Sequence, residues 1–335
     1  MIEKIIISLT NLRKVLINPM ENNQLSIAIE KAILENPWFD RESILYSLES
    51  IALWLDEATL REFVSNYTPK QNPKRVAVIC AGNIPMVGFH DMLCTLLSGN
   101  IFIGKLSSND SSLLEAIGSI LFDYEKELKE RIFFTKGKLE DFDAVIATGS
   151  NNTFMYFDYY FSKYPNIIRH SRTSIGVLDN KEKDYSGLVL DILTHKGLGC
   201  RNISKIFIPK DFDFSPLIKA FESHLSLLDH NKYRNNYEYH KAIYIMNNIS
   251  FIDTQTNLLV ESSELFSPVS VVYYTYYNDI SEVKDYINTN KENIQCIVSN
   301  MEEIEGRIEF GKAQSPSIND FADNVDTMDF LCNRI

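Results

Sequence analysis

The sequence predicts an α/β protein: parallel sheets flanked by helices and entered through a helical lead. Two observations carry that expectation. Apolar residues first recur at three- and four-residue steps, then give way, after a polar linker, to short β-branched runs that alternate with helical patterns. The chain also has the size for it. Its 335 residues, 45% hydrophobic and 23% charged, suffice for two ordinary domains with cores of their own.

The lead occupies residues 1–70. In "RESILYSLESIALWLDEATLREFVSNY" (41–67), Ile44, Leu48, Ile51, Leu55 and Phe63 fall at helical spacing, with Trp54 beside them, and "TPKQNPK" ends the pattern. Trp38 and Trp54 are expected in the core of this lead. From residue 71 the period changes. "RVAVICAGN" (75–83), "NIFIGKLSS", "RIFFT" and "FDAVIATGS" read as strands, separated by helices over "MVGFHDMLCTLLSG" and 110–130. Alternation at this pace makes a parallel sheet, and such sheets hold ligands at the carboxyl ends of their strands. Those ends are "CAGNIP" (80–85), "GKLSSND" (104–110) and "ATGSNNT" (147–153). Beyond them come "NIIRHSRTSIGVLD" (166–179), a helix near 184–195, a strand in "LTHKGLGCRNISKIFIP" (193–209), "ESSELFSPVSVVYY" (261–274), a helix over 279–289 and a strand in "IQCIVSN".

Charge and cysteine usage narrow the function classes. A net charge of −12 disfavours binding to nucleic acid or to anionic lipid through general electrostatics. Five scattered cysteines without a CxxC pair point to a reducing compartment, hence the cytoplasm, and no zinc-ligand spacing is present. The opening "MIEKIIISLTNLRKVL" lacks the apolar core of a secretion signal. No run approaches the roughly 20 apolar residues of a membrane helix, so no membrane insertion is expected.

Taken singly, the motifs are modest. Gly149 at a strand end reads as turn chemistry, and the GxGxxG phosphate fingerprint is absent. Lys105 closes an apolar strand either as a snorkelling edge lysine or as a cation for a ribose or phosphate. Cys80, Cys94 and Cys296 lie in apolar runs and read as core, and Cys332 belongs to the C-terminal tail. Cys200 differs. Glycines on its approach permit positive φ and close backbone contact, a setting that displays a side chain. His195, five residues earlier, gains no support from spacing as its partner.

In order, these pieces resemble the aldehyde dehydrogenase superfamily, and within it the LuxC-type long-chain acyl-CoA reductases. The resemblance rests on Asn83-Ile84-Pro85 for Asn-Phe-Pro, "SGNIFIGKLSS" with Lys105 for the Gly-Asn…Lys-Pro-Ser-Glu segment, and Thr148-Gly149-Ser150 for Thr-Gly-Ser. It continues with Cys200 after a Gly-containing approach and "ELFSPV" (264–269) for Glu-Ile-Phe-Gly-Pro-Val. The C-terminal "GKAQSPSINDFADNVDTMDFL" is similar to the end of the reductase branch. Two departures stand out. The water-activating glutamate of Glu-Leu-Gly-Gly has no counterpart in "IRHSRTS", where Arg169 or a neighbour stands, and Lys-Pro-Ser-Glu has become Lys105-Leu106-Ser107-Ser108.

The resemblance implies an aldehyde-dehydrogenase-like fold of two α/β domains. Residues 71–190 would form a dinucleotide-binding domain and 191–300 a catalytic domain, with 301–335 packing back on the cofactor domain. It implies an aldehyde-forming oxidoreductase, an acyl-CoA reductase that reduces a fatty acyl-CoA or carrier-bound acyl thioester. Cys200 would be the nucleophile, and the Asn83 amide with the Cys200 N–H the oxyanion hole. Lys105 and Glu264 would hold the riboses, with Ser107 near the adenosine side and Gly149 and Ser150 beside the pyrophosphate and nicotinamide half. Loss of a carboxylate near the adenosine ribose favours NADPH, with NADH the alternative. A homo-oligomer is compatible with all of this. The competing expectation is a catalytically silent relative that binds acyl carriers or a partner enzyme.

Overall fold

Four helices open the chain in the computed structural model, which describes residues 1–149 and 151–335, with side chains except at 151–154. They are α1 (Ile2–Ile17), α2 (Asn23–Glu35), α3 (Arg41–Trp54) and α4 (Glu57–Ser65). The apolar pattern over 41–67 is thus broken into two helices. Asp56 makes the break: its carboxylate accepts the N–H groups of Ala58 and Thr59 and starts a new helix. The apolar faces of all four helices share one core with the first sheet.

That sheet is built from β1 (Arg75–Ile79), β2 (Ile101–Lys105), β3 (Ile132–Thr135), β4 (Ala144–Thr148) and β5 (Asn166–Arg169), in the order β3-β2-β1-β4-β5. Every pair in it is parallel. Parallel pairing needs crossovers, supplied by α5 (Phe89–Leu97), α6 (Ser112–Tyr124) and α7 (Asn151–Phe161). Strands covered on both faces read as continuous apolar runs, as "RVAVI" and "AVIAT" do. One face packs on the lead, α5 and α6. On the other, Ala77, Val145 and Ala147 meet Phe157 and Phe161 of α7.

The second sheet contains β6 (Thr173–Val177), β7 (Ile203–Pro209), β8 (Ile252–Asp253), β9 (Leu258–Glu261), β10 (Val271–Tyr277) and β11 (Ile294–Val298), ordered β11-β6-β7-β10-β9-β8. Only the β8–β9 pair is antiparallel among the described strands of this sheet. It is accompanied by α8 (Ser186–Leu193), α9 (Ser215–Glu222), α10 (Asn231–Met246) and α11 (Ile280–Asn290). One core joins Ile175, Val177 and Phe207 to Val283 of α11; another joins Tyr237 and Tyr244 of α10 to Leu258, Val260 and Val271.

The chain divides into two compact units, Met1–Ser171 with Pro316–Ile335, and Arg172–Ser315. The division falls ahead of the expected 190/191, because β5 pairs with β4 while β6, a few residues on, pairs with β7 and β11. "NIIRHSRTSIGVLD" therefore holds the end of one sheet and the beginning of the other. Residues 316–335 belong to the first unit through specific bonds. Trp54 Nε1 donates to the Pro316 carbonyl (2.7 Å), His90 Nε2 lies 2.8 Å from the Ile318 carbonyl, and Asn100 Nδ2 donates to the Leu331 carbonyl (3.1 Å). Residues 301–315 stay with the second unit. There Asp191, buried in α8, accepts the N–H groups of Gly311 and Ala313. Cys332, read from sequence as part of the tail, is buried in the first core.

Candidate active site

In the first sheet the strand order reverses between β1 and β4, the position at whose carboxyl edge parallel sheets of this kind bind ligands. The sequence-derived candidates of the first unit gather along that carboxyl edge. Asn83 is exposed on the loop after β1, Lys105 ends β2, Ser107 follows it, and Gly149 follows β4. Register supports the grouping, since Ile79 is paired with both Lys105 and Ala147. Ser150 lies outside the described residues.

The loops after β1 and β2 touch. A Cβ on Gly82 would come within 2.5 Å of Ser107 Oγ and 3.2 Å of Asn109 Cβ, so only glycine admits this approach. Asp110 ties the same two loops: its Oδ2 accepts the Met86 N–H at 2.7 Å, where the backbone is left-handed (φ 64°). The helical lead props both from behind. Asn36 Nδ2 donates to the Gly82 carbonyl (2.9 Å), and Glu35 accepts the N–H and hydroxyl groups of Ser111 and Ser112. A carboxylate thus occupies the start of α6, where the helix dipole favours negative charge. Burial works against that charge, but the Ser112 and Ser111 donors outweigh it and hold Glu35 below its ordinary range.

Asp110 is the opposite case. Burial pushes its carboxyl up to about 7; the Met86 N–H pulls it back and the nearby Glu35 charge pushes it further. Its Oδ1 is buried without a hydrogen-bond partner. The folded state therefore retains a proton that the unfolded chain releases at about pH 4. Its stabilising contribution is complete below that pH and is lost as the pH rises through about 7. Asp110→Asn, which cannot ionise, is expected to gain stability relative to wild type between about pH 5 and about pH 8. Urea unfolding across that range tests this, and a pH-independent difference between the two proteins would contradict it.

Arg169, the residue that ends β5, is taken up by a buried ion pair. Its guanidinium forms a bidentate pair with Asp91 of α5 (2.6 and 2.8 Å) and lies 3.2 Å from Thr327 Oγ1, with both charged side chains buried. Burial opposes the charge, and the Asp91 carboxylate more than restores it, holding the guanidinium above its ordinary range.

Cys200 and Glu264 belong to the second unit. Cys200 is the exposed member of the five free cysteines; the other four are buried. The chain reaches it through three successive left-handed residues, His195 (φ 52°), Lys196 (φ 60°) and Gly197 (φ 76°), of which only glycine adopts that conformation without cost. Asn202 holds the turn. Its Nδ2 donates to the carbonyls of Asp191, Ile192 and Thr194, the unpaired end of α8, while its Oδ1 accepts the Gly199 N–H at 2.8 Å. Ser174 Oγ of β6 fixes the Cys200 carbonyl at 3.0 Å. Asn202→Ala removes these bonds, leaving the Asp191 carbonyl with its Gln314 Nε2 donor (3.1 Å), and is expected to destabilise the protein by about 2 kcal/mol in urea unfolding.

The segment bearing Glu264 is pinned to the strands that flank this turn. Thr173 Oγ1 of β6 donates to Ser204 Oγ, which donates to the Leu265 carbonyl (2.8 and 2.7 Å). Lys205, fully buried in β7, donates to the carbonyls of Ser262 and Glu264. Burial pushes its ammonium down to about 8, and the Glu264 carboxylate pulls it part of the way back. The Cys200 turn and the Glu264 segment are thereby anchored on adjacent residues of β6 and β7. Sequence reasoning missed Lys205, Asn202, Asp110 and Glu35. For Lys205 alone a signal existed, a lysine in the middle of the apolar run "ISKIFIP".

Among the described residues, no cluster of three or more His, Cys, Asp or Glu side chains could hold a metal ion, and no helix is long and apolar enough to cross a membrane.

No curated protein matches the chain significantly. Solved aldehyde dehydrogenases share its fold at low identity. One from Physcomitrella patens, in complex with the reaction product succinate, is 11% identical over 97% of this chain and 84% of its own, with a TM-score of 0.66. One from Mycobacterium tuberculosis, complexed with NAD+, is 13% identical over 84% and 70%, with a TM-score of 0.61. A variant of aldehyde dehydrogenase C from Pseudomonas syringae, with NAD+ and octanal, is 10% identical over 89% and 77%, with a TM-score of 0.62. Residues 13–226 match the family model described as acyl-CoA reductase (LuxC). With that match over most of its length and an aldehyde dehydrogenase fold, the chain belongs to the acyl-CoA reductase (LuxC) family.

Proposed function

We propose that the protein reduces an acyl thioester, a fatty acyl-CoA or a carrier-bound acyl group, to an aldehyde through an acyl-enzyme on Cys200. The observation that carries this reading is the exposed Cys200 on a turn that Asn202 and Ser174 hold in place, in a member of the acyl-CoA reductase family. The Cys200 thiolate attacks the thioester carbonyl and expels the carrier thiol, an exchange of one thiolate for another that costs little energy. The Cys200 N–H and the Asn83 amide act as donors to the oxyanion; one such donor is worth about 100–1,000-fold in rate. By the resemblance, no glutamate stands where a hydrolytic relative activates water; the segment there holds Arg169, whose guanidinium is paired with Asp91 and, being cationic, could not serve as a general base.

The carboxyl edge of the first sheet suits a nicotinamide dinucleotide. It includes the point where strand order reverses, and it carries the Lys105 amine, the Ser107 hydroxyl and, after β4, Gly149. A reduced dinucleotide bound there supplies the hydride that converts the acyl group to an aldehyde. Lys105 and Glu264 would hold its riboses, and Gly149 and Ser150 would serve its pyrophosphate and nicotinamide half. NADPH is the preferred form. The exposed surface of the loop after β2 carries Ser108 and Asn109, and its carboxylate, Asp110, is turned inward and buried. The division of labour is a dinucleotide-binding first unit and a catalytic second unit, and the compartment is the cytoplasm.

The test is oxidation of NADPH and of NADH by the purified protein, offered acyl-CoAs of several chain lengths and an acyl-carrier-protein thioester. Thioester-dependent oxidation supports the reading and ranks cofactor and chain length. Failure with every thioester overturns it and leaves a silent relative that binds acyl carriers.

A further inference from the structure

A fully buried lysine needs acceptors for its ammonium, and those of Lys205 are revealing. Its Nζ donates to the carbonyls of Ser262 and Glu264, the second at 3.0 Å, and lies 5.4 and 5.8 Å from the ring centroids of Phe207 and Tyr286. Both oxygens are main-chain atoms of one irregular segment. The ammonium is therefore not neutralising a buried acid; it fastens a loop to a strand. Two neighbours do the same. Ser204 Oγ donates to the Leu265 carbonyl (2.7 Å), and Thr275 Oγ1 of β10 donates to the Ser262 carbonyl (2.8 Å). The Glu264 side chain stays exposed while the backbone on either side of it is held.

We propose that Lys205 is a positioning residue for dinucleotide binding: it fixes the 262–265 segment so that the Glu264 carboxylate is presented ready-oriented to a ribose of the dinucleotide. This rests on the role assigned to Glu264 in the proposed function. A ribose diol is recognised by a carboxylate through two directional hydrogen bonds. If the loop must be ordered at the moment of binding, that cost is subtracted from affinity. Loosening the clamp should thus weaken dinucleotide binding and spare the attack of Cys200 on a thioester, which needs no dinucleotide.

The experiment compares wild type, Lys205→Met, Ser204→Ala and Glu264→Gln. Calorimetry gives the affinity for NADPH and NADH, mass spectrometry the rate of Cys200 acylation by an acyl-CoA without dinucleotide, and hydrogen exchange the protection of residues 262–265. Lys205→Met is expected to weaken dinucleotide binding about tenfold, to speed exchange in 262–265, and to change the acylation rate by less than about twofold. Ser204→Ala should weaken binding in the same direction by about threefold, which keeps the question open to measurement if the methionine variant does not fold. Unchanged affinity in Lys205→Met, or in Ser204→Ala where that is the one that folds, overturns the proposal. A wild type that binds dinucleotide no better than Glu264→Gln removes the role of Glu264, and the proposal with it. That outcome is distinct from failure of the clamp, because exchange in 262–265 still responds.

Discussion

Replacing Cys200 by alanine is expected to abolish thioester-dependent oxidation of the reduced dinucleotide, a loss of about a thousandfold or more. No other cysteine can take over. Burial, with the charges of Asp91 and Asp110 adding to it, pushes the Cys80 thiol far above its ordinary range, and burial does the same to Cys94. Cys332 is raised to about 11 by burial, against the pull of Lys70. Each of these side chains is enclosed in the first unit's core, and Cys296 is buried in β11. Dinucleotide affinity should be unchanged in the variant, since the groups proposed to hold it lie elsewhere. The assay follows reduced-nicotinamide absorbance beside calorimetric binding. Activity surviving in Cys200→Ala would sink the acyl-enzyme mechanism, and lost binding would mean that the substitution had disturbed more than the thiol.

The second large effect is on stability. Arg169→Met leaves the Asp91 carboxylate buried without its partner, which typically costs about 3–5 kcal/mol. A methionine fills much of the volume of the arginine stem, so the loss is one of charge and hydrogen bonds rather than of packing. Adding Asp91→Asn to it removes the stranded charge and should recover a large part of the loss, because a buried pair as a whole repays little beyond its own desolvation. Tryptophan fluorescence during urea unfolding reads this directly, as Trp38 and Trp54 both belong to the first unit. Equal stability of Arg169→Met and wild type would show that the pair contributes nothing net. A double variant no better than the single would place the cost in geometry instead.

The fate of this pair shows where sequence reading stops. Strands and helices were legible because their signal is local: "RVAVI" and "AVIAT" are apolar throughout, and the residues of α5 and α6 are apolar at helical spacing. The display of Cys200 was legible for the same reason, in the glycines before it. Asp91 and Arg169 meet across 78 residues, Glu35 and Ser112 across 77, and Lys205 and Glu264 across 59. Nothing near any of these residues announces its partner. The break at Asp56 is a middle case, since an aspartate inside an amphipathic run can be a solvated face or a cap, and only the backbone decides. The passage from β5 to β6 was missed because two apolar strands separated by three polar residues look alike whichever sheet receives them.

The path of the chain has a consequence for biogenesis. The second unit is an insertion in the first, which resumes only at Pro316. Arg172–Ser315 can close as soon as it leaves the ribosome, being contiguous. The first unit cannot: until residues 316–335 emerge, Trp54 and Asn100 lack carbonyl acceptors and Arg169 lacks Thr327. The half proposed to bind dinucleotide, though translated first, is therefore the last to be sealed.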